Sequence, residues 1–446
     1  MKTVDLLKKY NVAAPRYTSY PTVPYWDSST FDDQKWVQSL QKSYEESNSG
    51  GISLYIHLPF CESLCTYCGC NTRITKNHGV EKPYIDAVIK EWELYIRLLG
   101  RRPKIAELHL GGGTPTFFSP ENLQRLLIAI LGEDYGQPIC SFEGHPDNTT
   151  VEHLQTLHQF GFKRLSLGIQ DFDPKVQMMI NRFQTPEQVF RITNEARAIG
   201  YDSINFDLIY GLPAQTQNGL SQTLTEVIAM KPDRIAFYSY AHVPWMKPGQ
   251  RHYAEKDIPE GDEKFGLYKL GRDRLVSAGY REIGMDHFAL PNDNLCLASD
   301  NSQLHRNFMG YTDRYTKILI GLGVSSISDC QMAFAQNAKT LEGYLEQINN
   351  GKLSVDKGHL LTESDLYIRQ HILNLMCKDS TRFTTDISSV IKNRLQPFIE
   401  DELITVNGSE VHIAKSGKPF LRNICMAFDE RLWQQKPQTT LFSNAF

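Results

Sequence analysis

Short hydrophobic runs alternate with amphipathic segments from Gly51 to Ser277. Six of the runs predict buried strands, because they are rich in apolar, β-branched and aromatic residues and are bounded by turn residues. The strands are predicted at Ile52–Leu58, Ile105–Leu110, Ile139–Glu143, Arg164–Ile169, Ser203–Ile209 and Arg234–Tyr240. Apolar residues at helical spacing predict helices between and after these strands. The helices are predicted at Pro83–Leu99, Pro120–Leu131, Val151–Phe160, Pro186–Ile199, Gly219–Ala229 and Glu260–Ser277.

Six βα units predict an α/β fold with a parallel sheet and outer helices, although this pattern does not decide whether the sheet closes. In barrels of this kind, functional side chains follow the carboxyl ends of the strands. A group of cysteines begins three residues after Leu58, and a glycine run follows Leu110. Glu143, Gln170 and Asp207 are predicted at the ends of later strands. These residues should therefore meet on one rim and form an active site.

The hydrophobic pattern changes in the last quarter of the chain. Helices are predicted at Leu361–Cys377, with Thr362 as the N-cap, and at Asp386–Phe398. A hairpin is predicted from strands at Leu403–Val406 and Val411–Ala414. Two helices and a hairpin are typical of a winged-helix-like module. Such modules often bind nucleic acid, but we favour a domain that packs against the barrel.

The first thirty or so residues have little periodicity but contain several tyrosines and prolines, which is unusual for a disordered tail. We therefore predict an ordered N-terminal extension that covers the site. The predicted domains are the extension at residues 1–35, a barrel at residues 36–330 and a small, mainly helical C-terminal domain at residues 331–446.

Composition indicates an ordinary globular protein. Hydrophobic residues make up 41% and charged residues 22% of the 446 residues, enough for a large core. The net charge of −4 and the lack of a basic run give no indication of nucleic-acid binding. No apolar run is long enough to predict a membrane span, and the first residues lack the apolar segment of a secretory signal. We therefore expect a cytoplasmic protein.

Four of the nine cysteines lie within ten residues, at Cys61, Cys65, Cys68 and Cys70. This density indicates metal or cluster ligation and not a disulfide framework. Three thiolates with the spacing Cys-x3-Cys-x2-Cys can bind three irons of a [4Fe–4S] cubane and leave the fourth iron open to a small molecule. A structural zinc ion is the alternative, with Cys70 and His57 completing four ligands. We favour the cluster because the sequence lacks the second cysteine pair of a zinc ribbon.

A glycine run, Gly111-Gly112-Gly113, precedes Thr114 and Pro115 after the second predicted strand. Glycines permit a close approach between backbone and ligand, although an ordinary tight turn would have the same composition. The strand, the cysteine spacing and the Gly-Gly-Gly-Thr-Pro segment together resemble the radical S-adenosylmethionine superfamily. That resemblance implies a [4Fe–4S] cluster on the three spaced cysteines, with S-adenosylmethionine on the open iron. It also implies that one electron cleaves the sulfonium to give a 5′-deoxyadenosyl radical.

Longer motifs resemble one family of that superfamily, the oxygen-independent coproporphyrinogen III oxidases. The motifs are Arg16–Thr22, Cys68–Asn71, Gly211–Pro213, Gly284–Ala289, His305–Phe308 and Arg422–Met426. The resemblance covers nearly the whole chain. It implies a partial (β/α)6 TIM-type barrel with the N-terminal extension and the small C-terminal domain, a monomer, and two bound molecules of S-adenosylmethionine.

The same resemblance implies which residues hold the two S-adenosylmethionine molecules. Those expected at the first molecule are Tyr55, Gly112, Glu143 and Ile327. Those expected at the second molecule are Tyr67, Gly113, Thr114, Gln170, Arg182, Asp207 and Ala241. The residue types suit the cofactor, because carboxylates can bind its ammonium group or ribose hydroxyls and an arginine can bind its carboxylate.

The resemblance also concerns the substrate side of the site. Cys70 distinguishes the oxidases from a related haem-carrying protein, so we expect it to be catalytic and to help proton or radical transfer near the substrate. Asp286, His287, His305 and Arg306 are candidate contacts of the propionate groups of the substrate.

The resemblance implies oxidative decarboxylation of two propionates of coproporphyrinogen III to the vinyl groups of protoporphyrinogen IX, in anaerobic haem biosynthesis. The reaction needs a one-electron donor, such as flavodoxin or ferredoxin. Two other functions stay open on sequence alone. One is a haem chaperone built on the same barrel, and the other is a zinc-stabilised binding module without redox chemistry.

Overall fold

The chain folds around one large sheet flanked by helices. The computed structural model describes residues 3–47, 50–133, 136–384, 387–435 and 441–445. The helices are α1 (Thr3–Tyr10), α2 (Asp33–Glu46), α3 (Glu81–Leu99), α4 (Pro120–Leu131), α5 (Val151–Gln159), α6 (Pro174–Ile180), α7 (Pro186–Ile199), α8 (Gln217–Met230), α9 (Gly261–Ser277), α10 (Asn294–Asp300), α11 (Leu341–Asn349), α12 (Glu363–Lys378), α13 (Ser389–Glu400), α14 (Leu421–Met426) and α15 (Glu430–Gln434). The strands are β1 (Ile52–Leu58), β2 (Phe60–Cys61), β3 (Arg73–Ile74), β4 (Ile105–Gly112), β5 (Ile139–Gly144), β6 (Phe162–Gln170), β7 (Ser203–Tyr210), β8 (Arg234–Ser239), β9 (Arg281–Ile283), β10 (His287–Ala289), β11 (His305–Asn307), β12 (Gly310–Thr312), β13 (Leu319–Leu322), β14 (Ile327–Asp329), β15 (Ala333–Asn337), β16 (Val355–Leu360), β17 (Ser380–Arg382), β18 (Ile404–Asn407) and β19 (Glu410–Ile413).

Six strands of the large sheet run parallel, in the order β1, β4, β5, β6, β7 and β8. They are the six strands that the hydrophobic runs predict, and α3, α4, α5, α7 and α8 lie between them in the chain. Over the described residues the sheet has twelve strands, with β16 at one edge and β9 at the other. It therefore stays open, and the predicted α/β class with a partial barrel is confirmed.

Alternation along the strands decides which side chains fill the core. Leu54, Ile56 and Leu58 of β1 are fully buried and belong to the core between the sheet and its helices. Burial of each such side chain contributes about 1.5–3 kcal/mol to stability. Tyr55 and His57 occupy the opposite face of the strand, as predicted, and this inner face carries the site.

Two of the predicted helix starts are confirmed. Pro120 and Pro186 lie in the first turns of α4 and α7, after the N-caps Ser119 and Thr185. α3 begins two residues before Pro83. Proline is tolerated there because the first four N–H groups of a helix have no acceptor within it.

The large sheet continues beyond the six βα units. β13 pairs with β1 in parallel, and β14, β15 and β16 follow as antiparallel neighbours. The sheet thus extends to Leu360, past residue 330, where the sequence places a domain boundary. The hydrophobic pattern predicts neither these short strands nor α2, although Trp36 and Leu40 of α2 are fully buried.

The C-terminal segment contains the predicted pair of helices followed by a hairpin. α12 begins after the N-cap Thr362, whose side chain accepts a hydrogen bond from the N–H of Asp365. β18 and β19 form the hairpin, with Gly408 at φ +62° in the turn, and β17 adds a third strand. Asp386, the predicted start of the second helix, lies outside the described residues, and α13 begins at Ser389.

The N-terminal extension packs against the C-terminal residues. Ala13 forms a β-bridge with Asn444, and the hydroxyl of Tyr17 donates to Asp429 at 3.0 Å. The extension is thus ordered by contacts with the far end of the chain. Within the described ranges, no helix combines the length and the hydropathy needed to cross a membrane.

Candidate active site

The cysteine loop leaves the end of β1 and is tied to the glycine run at the end of β4. The N–H of Gly113 donates to the carbonyl of Leu58 at 2.8 Å, and the N–H of Thr114 donates to the carbonyl of Phe60 at 3.0 Å. Residues 179–181, at the end of α6, make further hydrogen bonds to the middle of the loop. The loop is therefore anchored on both sides of its cysteines.

A cavity of about 310 Å³ opens beside this loop, at the carboxyl ends of the parallel strands. Most of the predicted site residues line it. They are Cys61, Cys65, Cys68, Cys70, Tyr67, Gly112, Gly113, Thr114, Glu143, Gln170, Arg182 and Asp207. The fold therefore brings together residues from separate segments of the chain, on the rim that the strand order predicts.

Three predicted residues do not line this cavity. The hydroxyl of Tyr55, on β1, is 3.0 Å from Nδ1 of His57. The carbonyl of Ala241 accepts a hydrogen bond at 3.1 Å from the side chain of Gln250, which also donates to a carbonyl of the cysteine loop. Ile327 begins β14. Their assignment to S-adenosylmethionine stays a prediction.

The three spaced cysteines are free thiols that line one cavity. Sγ of Cys61 lies 3.3 Å from Oγ1 of Thr114, and burial raises the pKa of Cys61 to about 11. Nη1 of Arg182 lies 3.7 Å from Sγ of Cys65. Arg182 therefore places a cationic hydrogen-bond donor beside one of the three candidate cluster ligands.

Cys70 lies beside the three spaced cysteines and contacts one of them. A hydrogen bond from the thiol of Cys70 lowers the pKa of Cys68 to about 6, and the same contact raises the pKa of Cys70. The backbone carbonyl of Cys70 accepts a hydrogen bond from Nζ of Lys247 at 3.0 Å. Cys68 is therefore the thiol most easily ionised, and Cys70 keeps its proton.

The arrangement fits a cubane better than a single zinc ion. Nε2 of His57 is 2.8 Å from the carbonyl of Asn71 and Nδ1 is 3.0 Å from the hydroxyl of Tyr55, so both ring nitrogens are already engaged. In the part of the chain that the structure describes, no three His, Cys, Asp or Glu side chains converge as they would on one metal ion. A cubane needs no such convergence, because its thiolates bind separate irons. Three free thiols beside a cavity therefore fit a [4Fe–4S] cluster.

Two residues of the glycine run have no space for a side chain. Gly112 has φ +113°, and a Cβ atom there would lie 2.5 Å from the ring of His57. A Cβ atom at Gly113 would lie 2.6 Å from the backbone of Pro59. A larger residue at either position would therefore displace the glycine run from β1 or from the cysteine loop.

Glu143 connects the glycine run to the sheet. Its Oε2 accepts a hydrogen bond from the N–H of Gly112 at 3.0 Å, and its Oε1 is 3.4 Å from Nε2 of His109. Burial acts to raise the pKa of Glu143, but the hydrogen bond and charge of His109 and the N–H of Gly112 outweigh it and lower the pKa. The side chain is therefore an ionised carboxylate beside the cavity, suited to an ammonium group or a hydroxyl.

Asp207 lies within β7, three residues before its end, and not at the strand end as predicted. Its carboxylate accepts hydrogen bonds from Ser166 at 3.1 Å and from Asn205 at 2.8 Å. Burial raises the pKa of Asp207 to about 7, and the charge of Glu143 adds to the shift. Glu143 and Asp207 therefore have opposite pKa shifts, and near neutral pH Asp207 can carry a proton while Glu143 does not.

Arg182 is buried and lines the same cavity. Its Nη2 donates to the carbonyl of Gly168 at 2.5 Å, whereas its Nε has no hydrogen-bond partner within the described residues. Gln170, at the end of β6, has φ +66°. An unpartnered buried donor is costly, so an acceptor group of a ligand would stabilise Arg182.

A second cavity of about 160 Å³ lies deeper between the strands and shares part of its lining with the first. The shared residues are Glu143, Ser166, Asp207 and Tyr238. His287 and Tyr311 line its other parts. The two cavities therefore adjoin each other, and the second one reaches β10 and β12. His305, another candidate substrate contact, lines a separate cavity of about 740 Å³.

His109, Ser166 and Tyr238 line these cavities although no motif indicates them. Each lies on a parallel strand, on the face opposite the core. The neighbours of His109 in the chain, Leu108 and Leu110, are fully buried. For His109 and Ser166, the signal that would have found them is a polar residue between two apolar residues of a predicted strand. Tyr238 lies between Phe237 and Ser239 and lacks this signal.

The raised pKa of Asp207 predicts a specific pH dependence of stability. The folded protein holds this proton more tightly than the unfolded chain, so the contribution of Asp207 to the free energy of unfolding falls as the pH rises from about 4 to about 7. Asp207→Asn removes this titration. Thermal unfolding at about pH 5 and about pH 7.5 should show a smaller loss of Tm in the variant than in the wild type.

Asp202→Asn, at an exposed position in the turn before β7, is the matched control and should keep the wild-type loss of Tm. Equal losses of Tm in Asp207→Asn and the wild type would contradict the pKa shift.

Comparison with known proteins agrees with this geometry. Residues 55–227 match the sequence model of the radical S-adenosylmethionine superfamily. The oxygen-independent coproporphyrinogen III oxidase of Pseudomonas aeruginosa is 39% identical, over 96% of this chain and 95% of that protein. The oxidase of Synechocystis is 35% identical, over 99% of this chain and 98% of that protein.

A solved structure resembles the whole chain as well. It is that of coproporphyrinogen III oxidase from Escherichia coli, described as a radical S-adenosylmethionine enzyme, with a TM-score of 0.88 and 33% identity. The match covers 96% of this chain and 98% of that chain. This chain therefore belongs to the family of oxygen-independent coproporphyrinogen III oxidases, within the radical S-adenosylmethionine superfamily.

Proposed function

We propose that this protein converts two propionate groups of coproporphyrinogen III to the vinyl groups of protoporphyrinogen IX by oxidative decarboxylation, in haem biosynthesis without oxygen. The observation that carries the proposal is a single cavity lined by the three spaced thiols, by Gly112 and Gly113, and by the carboxyl groups of Glu143 and Asp207. The match of the chain to the oxidases over nearly its full length also supports the proposal.

Cys61, Cys65 and Cys68 would hold a [4Fe–4S] cluster, and Thr114 and Arg182 would lie beside two of its sulfur ligands. When bound, the cluster and S-adenosylmethionine supply the one-electron chemistry that produces a carbon radical. The loop contributes three thiolates and no fourth ligand, which leaves one iron available to the cofactor.

Two S-adenosylmethionine molecules would bind around this loop. Glu143, kept ionised by His109, suits the ammonium group of the first molecule. Arg182 suits the carboxylate of the second molecule because its Nε is unpartnered among the described residues, and Asp207 suits a ribose hydroxyl. The other residues proposed here are Tyr55, Gly112 and Ile327 for the first molecule, and Tyr67, Gly113, Thr114, Gln170 and Ala241 for the second.

The deeper cavity would hold the part of the substrate that reacts. A carbon radical attacks most nearby C–H bonds, so water and loose side chains must be kept away. The rings of Tyr238 and Tyr311, each with a hydroxyl group, form part of the wall of this cavity. Cys70, which keeps its proton, lies on the rim between cluster and substrate space and would transfer a proton or hydrogen atom there.

The proposal extends to the partners of the protein. An external one-electron donor, such as flavodoxin or ferredoxin, would reduce the cluster, and the protein would act as a monomer in the cytoplasm. The division into an extension at residues 1–35, a barrel at residues 36–330 and a C-terminal domain at residues 331–446 is also proposed. The continuous sheet to Leu360 joins the second and third parts closely.

Turnover of coproporphyrinogen III tests the proposed function. Protein reconstituted with iron and sulfide without oxygen, and supplied with S-adenosylmethionine, a one-electron reductant and an electron acceptor, should form protoporphyrinogen IX. Each vinyl group should be accompanied by one carbon dioxide and one 5′-deoxyadenosine. Cys65→Ala should lose both cofactor cleavage and porphyrin turnover, because it removes a cluster ligand. Cys140→Ala, a buried cysteine of β5 outside the cavity lining, is the control and should keep both. Haem binding without turnover, or zinc in place of iron and sulfide, would overturn the proposal.

The role of Cys70 has a separate test. Cys70→Ser should keep the cluster and the cleavage of S-adenosylmethionine, because Cys70 is not among the three ligands. Its porphyrin turnover should fall by about a hundredfold, the usual effect of removing a proton-transfer group. Full porphyrin turnover in Cys70→Ser would reject a catalytic role for this residue.

The glycine run predicts a defect in cofactor binding. Gly112→Ala introduces a Cβ atom 2.5 Å from the His57 ring at φ +113°, so affinity for S-adenosylmethionine should fall by about tenfold or more. Equilibrium dialysis with the reconstituted protein measures this affinity. Gly100→Ala also has a positive φ, of +71°, but open space around it, and should bind normally. Equal affinity in Gly112→Ala would show that the close approach is not needed.

A further inference from the structure

Arg306, on β11, is a buried cation with unused hydrogen-bond donors. It is only 5% exposed, and its Nε and Nη1 atoms have no hydrogen-bond partner in the described ranges. Nη2 donates only weakly, to the carbonyl of Arg16 at 3.5 Å. Buried charges are normally paired or fully hydrogen-bonded, so this guanidinium lacks an acceptor.

Arg16 brings a second guanidinium to the same place from the N-terminal extension. Its Nη2 donates to the carbonyl of Ser239, at the end of β8, at 2.6 Å. Its Nη1 lies 3.9 Å from Oδ2 of Asp286, beyond hydrogen-bond distance. Asp286 therefore balances the charge of Arg16 only in part.

The surroundings carry further positive charge. Lys264 and Arg422 are also buried. Burial, together with the charges of Arg16 and Arg422, lowers the pKa of Lys264 to about 7. Burial is the main cause of this shift, and the charges of Arg16 and Arg422 add more to it than the opposing charge of Glu260 removes. An anionic ligand would correct this imbalance.

Both guanidinium groups lie against aromatic rings that line the deeper cavity. The guanidinium of Arg306 lies 4.6 Å from the ring centre of Tyr311, and that of Arg16 lies 5.9 Å from the ring centre of Tyr238. Both tyrosines line the deeper cavity, and Tyr238 also lines the cavity of the cysteines. Each arginine therefore packs against a side chain in the wall of the deeper cavity.

We propose that Arg16 and Arg306 together bind a propionate carboxylate of the substrate where the N-terminal extension meets the barrel. This inference rests on the proposed function and names a part of its substrate site. Planar guanidinium groups match the geometry of a carboxylate. A carboxylate that leaves as carbon dioxide must give up its charge, which a strong ion pair would oppose. The pair therefore suits one of the two propionates that remain in the product.

Binding of coproporphyrin III, the oxidised tetracarboxylate, tests this pair without turnover. Fluorescence quenching with the cluster-loaded protein should give a Kd that rises about tenfold or more in Arg306→Gln and in Arg16→Gln, because each variant removes one partner of a desolvated ion pair. Arg306→Lys should recover part of the affinity. The tetramethyl ester of coproporphyrin should bind wild type and variants equally, because it has no carboxylate.

Arg191→Gln is the matched control, because Arg191 lies on the exposed side of α7 and pairs only with Glu195. It should not change Kd. In turnover, Arg16→Gln should raise KM for coproporphyrinogen III more than it lowers kcat, as expected for a binding contact. Arg16 is partly exposed, so this variant keeps the test valid if Arg306→Gln does not fold.

The outcomes separate this inference from the proposed function. Unchanged Kd in folded Arg16→Gln and Arg306→Gln would overturn the arginine pair even if the wild type turns over coproporphyrinogen III. Weaker tetracarboxylate binding in both variants, in a wild type that shows no turnover, would support the pair and reject the oxidase reaction.

Discussion

The hydrogen bonds between the cysteine loop and the glycine run are the contacts on which the rest of the site depends. Gly113 and Thr114 donate to the carbonyls of Leu58 and Phe60, and each such bond contributes only about 0.5–1.5 kcal/mol. Their main effect is positional, because they fix the loop at the ends of β1 and β4. The three thiols then share a cavity with groups from β5, β6 and β7. Glycine is required because the backbone of Pro59 fills the space beside Gly113.

The protein gives two similar carboxyl groups different charges through their neighbours. Glu143 is next to His109 and the N–H of Gly112, and these lower its pKa despite burial. Asp207 accepts only neutral donors, from Ser166 and Asn205, so burial and the nearby charge of Glu143 raise its pKa. A site that binds a cationic cofactor and an anionic substrate needs an ionised carboxyl group and a protonated carboxyl group close together in space.

Sequence patterns predict the six long strands of the barrel well, because each of these runs extends over several strand repeats and is buried on its helix-facing side. The short strands β13 to β16 contain three to six residues each, too few to show a period. The same limit hides α6, which has seven residues. The missing prediction of α6 matters for the site, because this helix places Arg182 beside Cys65.

Other parts of the site depend on contacts that no local pattern contains. The motifs indicate Cys70, but not its hydrogen bond to Cys68. Asp207 lines the predicted site, but it lies inside β7 and not at the end of the strand, because the sequence pattern does not show where β7 ends. The unpartnered nitrogens of Arg306 are visible only once β11 and the N-terminal extension are packed together.

The position of the extension depends on the opposite end of the chain. Arg422, on α14, is buried and donates to the carbonyls of Ala14, Pro15 and Asn444. Main-chain carbonyls are therefore its acceptors, and burial with the charge of Arg16 lowers the pKa of Arg422 to about 10. The next residue, Asn423, donates to the carbonyl of Tyr10 at 2.9 Å.

These contacts make the two termini one structural unit over the barrel. Arg16 reaches Ser239 and Asp286 because Pro15 and Ala14 before it are held by α14. A change that loosens the C-terminal segment would therefore move a cation at the substrate space, although no residue of α14 lines either cavity of the site.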